Sequence, residues 1–400
     1  MTTPSTDDRE ARRAGYALGA MFFLIGAICA SWASRIPALR AHLELGDRAL
    51  GVLLLCPAAG AMISFRFAGL LIARRGSRWL LRAATTASCL LVMLPGWPTS
   101  TALAAVVLVT LGAATGMMDV ALNAHGIEIE RRLGRPILGS LHGIVCLGRF
   151  TGAATAALAA GIGLDPITHL GIAGLGFLVP ATIAGARLLH HTTAPIAPVA
   201  PIAPSSGEPV AGLAPALPRK HPWVTLAALG AICFCSSASE GSMADWSGVY
   251  LRDLLHTSEA IAASGYAVFS LAMLVGRFAG DAVASRLGAA GVVRAGGIAV
   301  AVVLGAGLAI DSVPAMLVGF AATGLGVATL VPTAFRAGGR LPGVAHGTAI
   351  ATLASVSYIA FLAGPPAIGL IASFATLRVG LALIAALGAT LPFLARALEP

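Results

Sequence analysis

The chain has 400 residues, of which 57% are hydrophobic and 11% charged, with a mean hydropathy of +0.87. A soluble domain carries about 25% charged residues, so this composition excludes one and indicates an integral membrane protein. The formal charge of +9 invites an anionic partner such as nucleic acid, but the positions of the basic residues exclude that reading.

Apolar segments of about 20 residues recur along the chain. A helix needs that length, at about 1.5 Å per residue, to cross a hydrocarbon core about 30 Å thick, and a barrel strand needs half of it. Twelve spans are expected, at 15–34, 50–72, 79–97, 101–126, 138–161, 166–187, 223–244, 260–281, 289–310, 313–333, 347–370 and 377–396. The first follows the charged stretch DDREARR, as a secretory leader would, but it is too long for a leader and eleven spans follow. It is therefore read as an uncleaved helix after a cytoplasmic tail, residues 1–14.

Residues 15–187 make a first six-helix bundle and 223–400 a second. Between them, 188–222 includes HHTTAPIAPVAPIAPSSGEPVAGLAPALPRKHP, with a proline every few residues and almost no large apolar side chain, the composition of an extended, solvated linker. With both termini in the cytoplasm, eighteen of the 26 Lys and Arg residues fall in inner loops and helix ends. Five (Arg35, Arg40, Arg48, Arg252 and Arg378) fall outside, and Arg66, Arg149 and Arg277 lie within spans. This is the positive-inside pattern, so the basic balance answers to the lipid bilayer and no nucleic-acid partner is expected. All six cysteines fall within spans, and Cys233-Phe234-Cys235 has no matching Cys/His cluster, so they are read as core residues with no metal or cofactor.

The halves repeat each other. GRPILGSLHG, ending at His142-Gly143, leads into span five, and GRLPGVAHG, ending at His346-Gly347, leads into span eleven. Trp32 precedes LRAHL after span one, and Trp246 precedes LRDLL after span seven. A basic turn follows the second span of each half, and the three matches agree in order, which indicates an internal duplication. A duplicated six-plus-six bundle is the architecture of a rocking transporter with its site between the halves near the midplane.

The turn after span two, GLLIARRGSR (Gly69 to Arg78), resembles the loop signature of the major facilitator superfamily. Gly69, Arg74, Gly76 and Arg78 match, and Ala73 stands where the family has Asp. In the second half GRFAGDAVASRLG keeps Arg286 and Gly288, with Ser285 at the acidic position. The resemblance implies an all-α membrane fold of twelve helices in two pseudo-symmetric halves and a gating loop on the cytoplasmic side. The Asp that helps latch such halves is absent from both copies. GMMDVALN (Gly116 to Asn123) resembles the fourth-helix motif of the fucose-permease branch, a carboxylate followed four residues later by Asn, and GRFAG is similar to that branch as well. WASRIPALRAHL and EGSMADWSGVYLRD look closer still to bacterial inner-membrane facilitators of largely unassigned substrate. Fucose permeases carry an acidic residue near the outer end of helix one, absent here, so the solute is not named by the resemblance.

A charge within the bilayer costs several kcal/mol unless paired or hydrated. Thr115, Asp119 and Asn123 recur every four residues and form one polar stripe on span four. Asp119 is read either as a proton-coupling carboxylate, as in proton-coupled fucose permeases, or as one locked in a structural ion pair. His142, Cys146 and Arg149 share a face of span five, which borders the cavity in this superfamily. Arg149 either binds an anionic or hydroxylated solute or neutralises Asp119; His142 is read as a helix-end or core residue rather than a proton carrier. Arg66 is read as snorkelling to the cytoplasmic face. On span seven, Glu240 lies on a stripe with Ser236 and Ser237 and is a second proton or solute ligand candidate, while Asp245, beside Trp246, is an outer-end contact. Arg277 and Asp281 have i, i+4 spacing for a pair. Span eleven adds Thr348, Thr352, Ser355 and Tyr358, a hydroxyl-bearing face suited to a polyol or to helix packing.

These features imply a monomeric secondary transporter of the inner membrane with both termini cytoplasmic, taking up a small polar or sugar-like solute with protons. Proton-driven efflux of amphipathic compounds is the alternative. A phosphate-cradling loop of an ATP-driven pump is missing from the sequence, as are a soluble output domain and a clustered set of catalytic ligands.

Overall fold

The computed structural model describes residues 6–135, 137–189 and 221–399. The linker expected at 188–222 lies almost wholly outside the described residues. In chain order the helices are α1 (Thr6–Ala33), α2 (Ile36–His42), α3 (Asp47–Leu53), α4 (Leu55–Arg75), α5 (Ser77–Leu91), α6 (Thr101–Leu133), α7 (Leu138–Gly161), α8 (Pro166–Ala186), α9 (Pro222–Val249), α10 (Glu259–Ala299), α11 (Gly305–Ile310), α12 (Val313–Val327), α13 (Leu330–Gly338), α14 (His346–Phe374) and α15 (Leu377–Leu394). π-Helical segments at Tyr250–Leu254 and Val300–Leu304 continue α9 and α10. Every regular element among the described residues is helical, which lets each segment satisfy its backbone without water. Large apolar side chains such as Ile63, Phe67, Val106, Leu158, Ile172, Phe278 and Phe393 are exposed, as a lipid-facing surface requires.

The sequence leads one to expect twelve spans; among the described residues, ten helices are long and apolar enough to cross a membrane. Two features account for the difference. The helix at expected span three, α5, has only 15 residues and ends at Leu91. Spans eight and nine are joined as one 52-residue stretch, Glu259–Ile310. At about 1.5 Å per residue that exceeds twice the thickness of a bilayer core, and the chain turns within it at Gly288 (φ 70°, ψ 170°). This conformation is open almost only to glycine. Gly76, between α4 and α5, has nearly the same backbone (φ 82°, ψ 157°), so the two turns that the repeat equates share one geometry.

The described residues form two compact units, those of Met1–Leu43 with Leu55–Ile202 and those of Glu44–Leu54 with Ala203–Pro400. The short helix α3 therefore belongs with the second. In the first unit α1 packs on α7 and α4 on α6. The helices cross where glycine removes the side chain: a Cβ at Gly26 would overlap the Val145 carbonyl oxygen and lie 2.9 Å from the Arg149 nitrogen. Such close backbone approach is the main source of helix association inside a membrane, where lipid removes most of the hydrophobic drive. In the second unit α9 packs on α14 and α10 on α12, the corresponding pairs of the repeat. Gly364 of α14 stands against the Ala238 carbonyl of α9, with 3.0 Å left for a Cβ.

Helix ends follow the sequence. Ser100 caps α6 by accepting from the Leu103 amide (3.3 Å), and Gly134 closes it in the left-handed region after Arg131 and Arg132. Glu130 then turns its Oε1 to the amides of Ile137 (2.7 Å) and Leu138 (2.8 Å), so the last turn of α6 caps the first turn of α7.

Candidate functional site

In the first unit the polar stripe of α6 forms as its spacing requires. The Asn123 amide, buried, donates from Nδ2 to the Asp119 carbonyl (2.9 Å) and to Asp119 Oδ1 (3.3 Å). Thr115 spends its hydroxyl on its own helix, donating to Leu111 O (3.0 Å) and Gly112 O (3.1 Å), so it orders the stripe without touching the carboxylate. The charge of Arg149, on α7, acts on Asp119. Both charges also bear on the Cys29 thiol of α1. Gly26, one turn before Cys29, is the residue that lets α1 approach the Arg149 backbone. Three helices therefore bring Cys29, Asp119, Asn123 and Arg149 together.

The other candidates of this unit lie apart. The His142 ring stands edge-on to Phe22 of α1, with centroids 5.3 Å apart, and packs into the α1 and α7 crossing. Arg66 is on the exposed face of α4 beside Met62, Ile63, Phe67 and Leu70. Within the loop signature, Gly69 has open space around it, Arg74 and Ala73 are exposed, and Gly76 makes the turn. Arg78 donates from Nη2 to the Ala186 carbonyl at the end of α8 (3.1 Å), so it satisfies an orphan group of a helix terminus.

In the second unit Glu240 of α9 meets Arg277 of α10 at 3.9 Å, and Asp281 meets Arg336 of α13 at 3.1 Å. The pair expected between Arg277 and Asp281 is thus replaced by two bridges between helices. An Arg placed N-terminal to its acid is the weaker orientation on one helix, and a partner on a neighbouring helix serves each charge better. Asp245 is half-buried on α9, and among the described residues it has no hydrogen bond or ion pair. Its neighbour Trp246 is buried and donates from Nε1 to the Pro365 carbonyl of α14 (3.0 Å). On α14 Thr352 and Ser355 are exposed and donate to their own helix, to Thr348 O and Ala351 O (2.8 Å each), and Tyr358 is half-buried beside that face. Ser285 donates to Ala282 O (2.8 Å), and Arg286 is exposed next to the Gly288 turn.

Sequence reasoning missed three features. Cys29 looked like a core residue, and the signal for its place was Gly26 one turn away. Arg35, buried, donates from Nε to His169 Nδ1 (3.2 Å) and from Nη2 to the Leu164 carbonyl (3.2 Å), tying the end of α1 to the start of α8. In the second unit Tyr250 donates to Asp311 Oδ1 (3.0 Å), and Arg378 pairs with the other oxygen.

No family model matches the chain. Over 379 residues, 94% of this chain and 93% of the relative, it is 34% identical to an uncharacterised MFS-type transporter of Yersinia pestis. It is 32% identical to an uncharacterised transporter of Sinorhizobium fredii, covering 96% of this chain and 97% of the relative. The membrane protein MosC of Rhizobium meliloti is 29% identical over 93% of this chain and 87% of its own length. Among solved structures, the fold is similar to the nucleoside transporter NupG (TM-score 0.68, 12% identity, 96% of this chain and 98% of that one). It is also similar to a bacterial homologue of the human lysosomal transporter Spinster (TM-score 0.68, 15% identity, 98% of each chain). The repeated helix pairing, the apolar surface and the near full-length match to an MFS-type relative agree: the chain belongs to the major facilitator superfamily of membrane transporters.

Proposed function

We propose that this protein is a secondary transporter that takes up a small polar or sugar-like solute by alternating access, with protons as the coupling ion. The observation that carries this reading is the grouping of Asp119, Asn123 and Arg149 inside the membrane-spanning part of the first unit. An acid at the centre of a spanning helix costs about 2.5–3.5 kcal/mol on insertion scales, and such groups mark solute and proton paths. A proton on Asp119 cancels its attraction for Arg149, which frees the guanidinium to hold a hydroxyl or anionic group of the solute. Loss of the proton restores the pair and displaces the solute. Proton and solute are thus linked through competition for one cation.

The likeness of GMMDVALN to the fucose-permease motif supports a hydroxylated solute, and the accessible hydroxyls of Thr352 and Ser355 suit one. Glu240, paired with Arg277, repeats the acid and arginine theme in the second unit. The turns at Gly76 and Gly288, with Gly69, Arg74, Arg78 and Arg286, take the role of cytoplasmic gating loops. The protein acts as a monomer of the inner membrane, and the placement of its basic residues supports cytoplasmic termini.

A thermal-shift screen of sugars, organic acids, amino acids and drugs identifies the solute by mass-action stabilisation. Proteoliposomes under an imposed pH gradient then test coupling. Asp119→Asn should abolish gradient-driven accumulation while changing solute affinity by less than about tenfold, or about 1.4 kcal/mol. Arg149→Gln should weaken binding by about 1.5–3 kcal/mol, the worth of a hydrogen bond to a charged group. If Asp119→Asn still concentrates solute against a gradient, the coupling role is wrong. Accumulation confined to inverted vesicles would establish efflux.

A further inference from the structure

We propose that Asp245 is a proton-binding site of the second unit, a carboxylic acid held neutral inside α9 until water or a cation reaches it. The inference deepens the proton-coupled reading above and rests on it for its use in transport.

Gly241, Ser242, Gly248 and Val249, the residues one turn before and after Asp245 along the helix, are all buried. Asp245 itself is half-buried, so its face of α9 lies mostly within the protein. Trp246 fixes the local helix through its bond to Pro365 O, so Asp245 is not on a fraying end. A carboxylate taken from water without a partner is strongly disfavoured, and protonation is the cheapest remedy. Asp119 has Asn123 and the charge of Arg149, and Glu240 has Arg277, whereas Asp245 has no such partner among the described residues.

Most charged groups on the elements packed against α9 are engaged elsewhere, while Arg286 of α10 is exposed beside the Gly288 turn and Arg396, after α15, lies over the Phe393 ring. On α10, Arg277 faces Glu240, Arg294 pairs with Glu399, and Glu259 takes Arg252 of the π-helical segment at 3.2 Å. Arg336 of α13 holds Asp281, and Arg378 of α15 holds Asp311, which also accepts from Tyr250. On α14 the ring of His346 is bonded to Gly339 O (2.8 Å), and Tyr358 has a contact of its own. Asp47 of α3, which packs on α14, likewise has a contact of its own. The repeat sharpens the point: when Trp32 is set against Trp246, Ser31 falls opposite Asp245, so the carboxyl belongs to the second half alone.

Dicyclohexylcarbodiimide tests this directly, since it captures protonated carboxyls in apolar surroundings. The acid proton moves to a carbodiimide nitrogen, the carboxylate oxygen bonds to its central carbon, and acyl shift leaves a stable N-acylurea with no leaving group. The full chain in proteoliposomes is treated across a pH series, digested and mapped by mass spectrometry. The adduct is expected on Asp245 at neutral pH, falling about tenfold per pH unit once the acid has titrated. Asp245→Asn should lose it and Asp245→Glu should keep it. Absence of the adduct from Asp245 in the wild-type protein, its confinement to Asp119 or Glu240, or a yield indifferent to pH would overturn the proposal. Labelling does not depend on transport. An Asp245 adduct in a protein whose Asp119→Asn variant still concentrates solute would sink only the coupling role of Asp119.

Discussion

Asp119 shows how far one residue can be read without its neighbours. Its four-residue spacing to Asn123 predicted a shared face, and the amide does donate to it. Cys29 could not be assigned in that way, because its place beside two charges depends on where α1 crosses α7. Asp165 offers a residue-scale test outside the spans. Its carboxylate takes the Thr168 hydroxyl (2.6 Å) and amide (2.9 Å) at the start of α8. These bonds favour the charged form, the hydroxyl more than the amide, and hold the carboxyl below its usual range. A depressed folded-state value contributes stability above the unfolded value, near pH 4, and that contribution is lost as pH falls through the folded one. Thermal melts of Asp165→Asn should therefore lose less stability than the wild type between about pH 5 and pH 2. Equal losses would count against the cap.

At the scale of elements, hydropathy located the apolar stretches but not where helices break. The break in the 52-residue stretch is made by one glycine, and a hydropathy profile does not report a backbone angle. The basic turn after span two was legible from GLLIARRGSR, and Gly76 carries its geometry. Gly76→Ala should destabilise the first unit by about 1–3 kcal/mol, the cost of a side chain in this backbone region. A melting temperature unchanged from wild type would contradict the strained turn. Gly69→Ala, where nothing lies within 4 Å of the added methyl, serves as the control.

For the whole molecule, the proposed orientation rests on the distribution of basic residues rather than on any single helix. A fluorescent protein fused after Pro400 should fold and fluoresce in the cytoplasm, and alkaline phosphatase at the same point should be inactive. Active phosphatase would reverse the assigned topology. The duplication read from three short matches has a physical counterpart in the repeated pairing of α1 with α7 and α9 with α14. The assignment of Glu44–Leu54 to the second unit, by contrast, has no mark in composition.

By itself the sequence determined the membrane class, the superfamily resemblance, the repeat and the polar stripe of α6, because these depend on composition and on spacing along one helix. Tertiary structure decided which charges meet. Glu240 found Arg277, Asp281 found Arg336 rather than the Arg277 expected from its spacing, and Asp245 was left without a partner among the described residues. The reason is range. A hydrophobic period is written within about 20 residues, whereas an ion pair between helices depends on crossing points fixed by distant glycines, and charge inside a membrane is governed by those last few ångströms.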